Sequence, residues 1–437
     1  MYLTPEQHEL GRRTFLKALA GTPALGLLGG TAAMKGPVRG GPVRIGFIGV
    51  GAQGRVLLSS VDPAFGDVRA LCDINPGAIT KADEIVQRRK LPTPKHYVEW
   101  ADMIQKEDVE AVIVAVPLWA HADIVVQCLN AGKHVLCEKM MAWDVAGCER
   151  MAQAAEKNDR VLEIGYQRRY SGLYQAAYQG IIKKELLGDL YHVRMVWHRN
   201  GNWRRTGGPP VPDYDPSQWG YPTWEHLWNW RLYWKYSQGL FAELASHQVN
   251  AANWFLGAAP SAVTASGGIH RFKDGREVPD HIYAMWEYPG GRTVTYSSLE
   301  SNALENRYEV YFGTKGTLLM RNETEALLFE EGPAGARQTA VEVSPRDGVA
   351  AAEASETRRR NPSAASAAGA AVATPTNARS AAAPTARPPA TRQEISRFCA
   401  AVRGGAPVAC GPLDAMHSAR ACIRGNEALK QKARLDV

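Results

Sequence analysis

From Val43 onward, continuous apolar runs alternate with amphipathic segments. "VRIGFIGV", "GDVRALCDI", "VEAVIVAVP", "KHVLCEK" and "RVLEIGY" have strand length and are largely apolar on both faces. Between them lie helical patterns such as "HADIVVQCLNAG" and "DVAGCERMAQAAEKN", the first stopped by Gly132. Strands without a polar face, alternating with helices, predict a doubly wound parallel α/β sheet covered on both sides over residues 43–165.

The texture changes near Tyr170. "DLYHVRMVWHR", "AVTASGGIHRF", "HIYAMWEYP", "RTVTYSSLE" and "NRYEVYFGTKGTLLMR" alternate with period two, and "YPGGRT" and "FGTKGT" supply hairpin turns. This predicts a second, α+β domain over 166–343, built on one large open antiparallel sheet with a helix, "GLFAELASHQVNAANWFLG", inserted after its first strand. Residues 344–391 are rich in Ala, Ser, Pro and Arg. They lack the large apolar side chains that offset ordering entropy, so they read as a disordered insertion. Two amphipathic helices over 392–437 are expected to pack back on the body.

Ahead of the first strand stands "GRRTFLKALAGTPALGLLGG", with Arg12 and Arg13 before an apolar run free of acidic residues. The run is too short to span a membrane, which takes about 20 residues. Residues 1–40 therefore read as a twin-arginine export signal, which implies the twin-arginine machinery as a partner and a periplasmic or secreted destination. The net charge of +7 draws on Arg and Lys in this segment and in "TRRRNPSAAS". No basic helix with interleaved aromatics accompanies it, so nucleic acid is not an expected partner. The seven cysteines make no C-x-x-C pair and mostly sit in apolar runs, as small buried residues do, and no metal site is expected.

After the first strand comes Gly49-x-Gly51-x-x-Gly54. Gly49 permits a tight turn, Gly51 lets the backbone approach a pyrophosphate, and Gly54 lets helix and strand pack closely. Asp73 ends the second strand about 20 residues on, where a carboxylate binds a ribose 2′-hydroxyl and repels a 2′-phosphate. The pattern predicts NAD rather than NADP.

With "AVPLWAHADIVVQCLNAGKHVLCEKM", "GYQRRY" and "ELASHQVN" added, the chain resembles the Gfo/Idh/MocA oxidoreductases from the end of the signal to the low-complexity segment, and again in the final helices. The resemblance implies a Rossmann domain, an open-sheet domain, a site at their seam, homodimers or homotetramers formed through the sheet, and sugar or polyol substrates. It places Gly49, Gly51, Ala52, Gln53, Gly54 and Asp73 on the dinucleotide. It places Pro117, Trp119, His121 and Gln167 along the nicotinamide half, Glu138 and Lys139 in the family's Glu-Lys-Pro, and Glu243 and His247 on the substrate. Met140 stands where the family has proline, and Glu243 where an aspartate is common.

The chemistry also reads from the residues. Glu243 and His247 are four apart on an expected helix and so share a face. A hydroxyl that gives up hydride loses its proton to a base; His247 suits that near neutral pH, with a carboxylate to orient it. Lys139 stabilises the developing negative charge on the same oxygen. Tyr166 and Arg168 in "GYQRRY", and Trp203 in a tryptophan-rich stretch suited to sugar faces, are further substrate-side candidates. A twin-arginine route carries a folded protein, so NAD loaded in the cytoplasm travels bound, and tight retention of the cofactor follows. Two alternatives stand beside the dehydrogenase reading. One is a redox-neutral, NAD-dependent glycosidase or lyase of the same family, whose exported branch carries a non-basic residue where Lys139 stands. The other is a non-catalytic NAD-binding protein.

Overall fold

The computed structural model describes residues 3–23, 40–205, 214–332, 389–405 and 407–437. The first sheet contains β1 (Val43–Ile48), β2 (Gly66–Cys72), β3 (Lys95–Tyr97), β4 (Ala111–Val114), β5 (His134–Glu138) and β6 (Leu162–Gly165). Its order is β3-β2-β1-β4-β5-β6, parallel throughout. Five of these strands are the apolar runs. The three-residue β3 has no hydrophobic signature, and its Lys95 and His96 are exposed. Val43, Ile45 and Phe47 face one layer with Leu57, Leu58, Ile395 and Phe398; Ile48, Val112 and Val114 face the other with Val125 and Met151. The helix Pro389–Val402 thus closes one face of the sheet.

The second sheet contains β7 (Leu190–His198), β8 (Ala262–Gly268), β9 (His281–Tyr288), β10 (Arg292–Leu299), β11 (Arg307–Gly313), β12 (Gly316–Arg321), β13 (Glu325–Glu330) and β14 (Leu435–Asp436). Its order is β13-β12-β11-β7-β10-β9-β8-β14. The expected all-antiparallel sheet is corrected at one joint, because β7 and β10 run parallel. After β7 the chain leaves the sheet, forms the helix Ser246–Leu256, and returns through β8 and β9, so β10 arrives beside β7 pointing the same way. The β9–β10 turn is a three-residue loop, 289–291, with Gly290 and Gly291 at φ +78° and +73°, a left-handed backbone that glycine adopts without strain. β13 and β14 are strands that the hydrophobic pattern did not single out.

The helix Pro412–Gln431 packs on one face of this sheet, where Trp286 Nε1 donates to the Ala421 carbonyl. On the sheet, Tyr191, Tyr283 and Met285 are exposed. Near the N-terminus, Pro5–Leu19 is a helix with a reciprocal Thr4–Gln7 cap. Gly11, Phe15 and Leu19 are its buried residues, and Gly11 lies against Phe329 of β13, while Arg12 and Arg13 stay more than half exposed. The segment read as a leader therefore seats its apolar stripe on the edge of the large sheet. Residues 24–39, where small residues suggest a cleavage site, lie outside the described residues. So does nearly all of the low-complexity segment, whose last three residues open the helix at Pro389. All seven cysteines are buried and free. Among the described residues no helix is long and apolar enough to cross a membrane, and no group of His, Cys, Asp and Glu is arranged to hold a metal ion.

Candidate active site

β1 lies between β2 and β4, so the crevice beyond its C-terminal end is the switch point of the parallel sheet. The chain leaves β1 through Gly49 at φ +87°. A Cβ there would stand 2.7 Å from the Ala115 carbonyl oxygen, and one at Gly54 would stand 2.1 Å from the Gly49 carbonyl oxygen. Both glycines bring the helix Ala52–Ser60 onto the strand ends. Gly51 differs: among the described residues nothing lies within 4 Å of where its Cβ would be. No side chain caps this helix, so its first N–H groups face that open space at the positive end of the helix. Asp73 Oδ2 accepts from Val50 N and Oδ1 from Asn75 N, both at 2.8 Å. Burial pushes its carboxyl up to about 6, against those two N–H groups and Arg55. Bare helix donors for phosphate oxygens, a cradle that a side chain at Gly51 would fill, and a pinned carboxylate for ribose hydroxyls fit a dinucleotide.

Lys139 follows β5 directly. Its Nζ donates to the Glu243 carbonyl at 3.1 Å, lies 3.5 Å from the Ala242 carbonyl, and stands 3.9 Å from the Glu243 carboxylate. Phe241–Ala245 forms a π-helical turn ahead of the helix Ser246–Leu256. Arg231 Nε donates to Glu243 Oε2 at 2.9 Å. Burial works to raise the Glu243 pKa, but Arg231, Lys139 and Arg205 outweigh it, and the carboxyl is held below its ordinary value. His247 is pulled well below the usual histidine range, first by burial and then by the cations Lys139, Arg168 and Arg307. It is therefore a neutral base, its Nδ1 buried without a partner among the described residues. Its ring meets Tyr166 edge-on at 6.3 Å and leans over Trp197 at 5.9 Å.

Residues 43–166 match the model of an oxidoreductase family with an NAD-binding Rossmann fold, and residues 176–319 match the GFO/IDH/MocA C-terminal domain. Together the two matches span well over half of the chain. The chain belongs to the Gfo/Idh/MocA family. It is similar to an inositol 2-dehydrogenase of Salmonella paratyphi B, 34% identical over 189 residues, or 42% of this chain and 52% of that protein. It is similar to a glycosyl hydrolase family 109 protein of Shewanella baltica, 27% identical over 232 residues, or 45% of this chain and 50% of that one. The chain spans about half the length of these curated relatives. Its fold resembles that of the WlbA dehydrogenase from Bordetella pertussis, solved with NADH and UDP-GlcNAcA. The TM-score is 0.65 at 16% identity over 91% of this chain and 99% of that one.

Within this Gfo/Idh/MocA site several expected contacts are differently spent. Glu243 does not orient His247. The π-helical turn is wider than an α-turn, so residues four apart no longer share a face, and the carboxylate goes to Arg231 instead. Arg168 is buried and ion-paired with Glu309 and Glu323, so its guanidinium is spent within the fold and acts on His247 only through its charge. His121 does not line the nicotinamide half: Nδ1 faces the Met140 carbonyl and Nε2 the Val116 carbonyl, each at 3.0 Å, so the buried ring braces the ends of β4 and β5. Trp119 gives its Nε1 to the Tyr221 hydroxyl. Gln53 Nε2 donates to Glu138 at 2.7 Å, and Lys139 N to the other Glu138 oxygen, so this pair ties the glycine loop to β5. The Trp203 ring is covered by the Arg199 guanidinium at 4.0 Å. Pro117 and Gln167 begin short turns after β4 and β6, both half-buried. Lys139, Glu243, His247 and Tyr166 do come together. Arg231 was missed; its only sequence signal is a cation among the tryptophans of "WNWRLYWKY".

Proposed function

We propose that the chain is an exported oxidoreductase that moves hydride between tightly held NAD and a sugar or polyol hydroxyl. The observation that carries this is an ammonium, Lys139, presented beside a neutral histidine, His247, next to a dinucleotide cradle. When bound, NAD supplies the hydride acceptor. His247 takes the hydroxyl proton as the carbon gives up hydride, which leaves a carbonyl. Lys139 donates a hydrogen bond to the same oxygen and stabilises its developing charge. Arg231 neutralises Glu243, so this carboxylate does not oppose charge growing on the substrate oxygen. Asp73 favours NAD over NADP, because a 2′-phosphate would meet a carboxylate already held by two N–H groups. The similarity to an inositol dehydrogenase supports a polyol substrate.

The similarity to a glycosyl hydrolase family 109 protein supports a second reading, redox-neutral glycoside cleavage. Lys139 argues for the first, since direct hydride transfer needs the alkoxide stabilised. One experiment separates them. With its own NAD bound, the protein is mixed with free sugars and polyols and followed at the NADH absorbance. A single-turnover change, slowed by orders of magnitude in Lys139→Met with NAD affinity kept, supports the oxidoreductase. Unchanged absorbance with steady cleavage of an aryl glycoside replaces it with the glycosidase.

Export rests on Arg12 and Arg13, exposed on their helix, and on "TFLKALAG" after them. A homodimer or homotetramer through the large sheet is supported by exposed Tyr191, Tyr283 and Met285.

A further inference from the structure

Between β7 and the helix Ser246–Leu256 the chain makes a long excursion. The part from Tyr214 to Tyr236 leaves the second sheet yet touches the Rossmann half at several points, among them Trp143 Nε1, which donates to the Trp234 carbonyl at 2.9 Å. Trp219 Nε1 donates to Glu99, just past β3, at 3.2 Å. Ile74, the neighbour of Asp73, packs against the cluster built on Tyr221, Tyr233 and Tyr236. Trp119, past the end of β4, gives its Nε1 to the Tyr221 hydroxyl at 2.9 Å and its backbone N–H to the Tyr236 carbonyl at 3.3 Å. The segment is held as a strap: the Tyr236 hydroxyl and Lys235 Nζ both bond the carbonyl of Gly220, which turns at φ +80°.

β2 and β3 carry the adenosine side of a dinucleotide cradle, and Asp73 and Glu99 follow them. At that side Tyr214 stacks on Trp219, ring centroids 4.9 Å apart and planes 15° from parallel. Packing accounts for buried Tyr221 and Tyr236. It does not account for the Tyr214 hydroxyl, which is buried without a partner among the described residues. Burial, and then the negative charges of Asp73 and Glu99, raise the Tyr214 pKa, so the group remains a proton donor beside the ribose carboxylate.

We propose that Tyr214 and Trp219 form the outer wall of the adenosine pocket, the Tyr214 hydroxyl donating to the bound nucleotide, so that the strap slows cofactor release. The proposal rests on the reading of the glycine loop as a dinucleotide cradle. It gives an exported enzyme a physical means of keeping NAD.

The test uses the full chain, with ADP-ribose and nicotinamide mononucleotide as separate probes in calorimetry, and NADH release followed by trapping. In Trp219→Ala, loss of an aromatic wall should weaken ADP-ribose about tenfold and speed NADH release by a similar factor. In Tyr214→Phe, which keeps the ring and its packing, loss of one hydrogen bond should weaken ADP-ribose about fivefold. Affinity for nicotinamide mononucleotide should hold in both. Unchanged ADP-ribose affinity and release in Tyr214→Phe overturns the hydroxyl's role, and no change in either variant overturns the strap while leaving the cradle intact. An unmodified chain that binds neither NAD nor ADP-ribose overturns the cradle reading and this proposal with it.

Discussion

Asp73 is a carboxylate whose neighbours disagree. Burial opposes its charge, two backbone N–H groups favour it, and burial wins, leaving a value of about 6. Ribose hydroxyls would add donors to the ionised form and lower that value in the complex. The free protein then holds the extra proton below about pH 6, and binding must release it. NAD affinity is therefore expected to fall as pH drops through about 6 and to be flat above it, and Asp73→Asn should bind more weakly with no such slope. Calorimetry between pH 5 and 8 checks this; an equal slope in Asp73→Asn refutes it. Arg168 shows the opposite economy. Paired with buried Glu309, it is a fold residue, since breaking such a pair costs several kcal/mol. Burial, and then the cations Lys139, Arg168 and Arg307, keep the His247 ring neutral. A kcat/KM profile governed by His247 should accordingly show its acid limb below the ordinary histidine value of about 6.5.

At the scale of elements, the glycine loop and its helix separate two demands that look alike in sequence. A Cβ at Gly54 would strike backbone, which cannot swing aside, whereas a Cβ at Gly51 would meet only open space. Gly54→Ala is expected to cost about 1–3 kcal/mol by overpacking, read in urea unfolding. Gly51→Ala should leave unfolding unchanged and weaken NAD binding at least tenfold, because it fills space meant for the pyrophosphate. Equal stability losses in both would show that the loop is not built around a ligand. The π-helical turn at Phe241–Ala245 is the second element that matters. It carries the carbonyls that hold Lys139, and it sends Glu243 to Arg231.

At the scale of the molecule, the two sheets meet where β5, the π-helical turn and the strap converge, and the N-terminal helix rides on the far edge of the large sheet. Docking by Gly11, Phe15 and Leu19 leaves Arg12 and Arg13 outward, compatible with an export receptor reading the pair on a folded protein. Replacing both with Lys should hold the protein in the cytoplasm with its leader attached. Fractionation of cells checks it, and undiminished export would refute the reading.

The sequence by itself determined most of the fold. Five strands of the parallel sheet declare themselves as apolar runs because both faces are buried, and the hairpins declare themselves by alternation and paired glycines. The glycine loop and Asp73 were legible because tight turns and strand-end acids act over a few residues. β3 and β14 were not, being too short to carry a pattern. The tertiary structure alone decided how side chains are spent. Glu243 leaves His247 because one widened turn rotates it toward Arg231, a residue twelve positions away. His121 becomes a brace because the Val116 and Met140 carbonyls just past β4 and β5 reach it first, and Arg168 because Glu309 of β11 and Glu323 do. The parallel joint of β7 and β10 and the strap over Asp73 arise from long crossovers, and such contacts depend on where remote segments come to rest, which no local pattern of apolar and polar residues encodes.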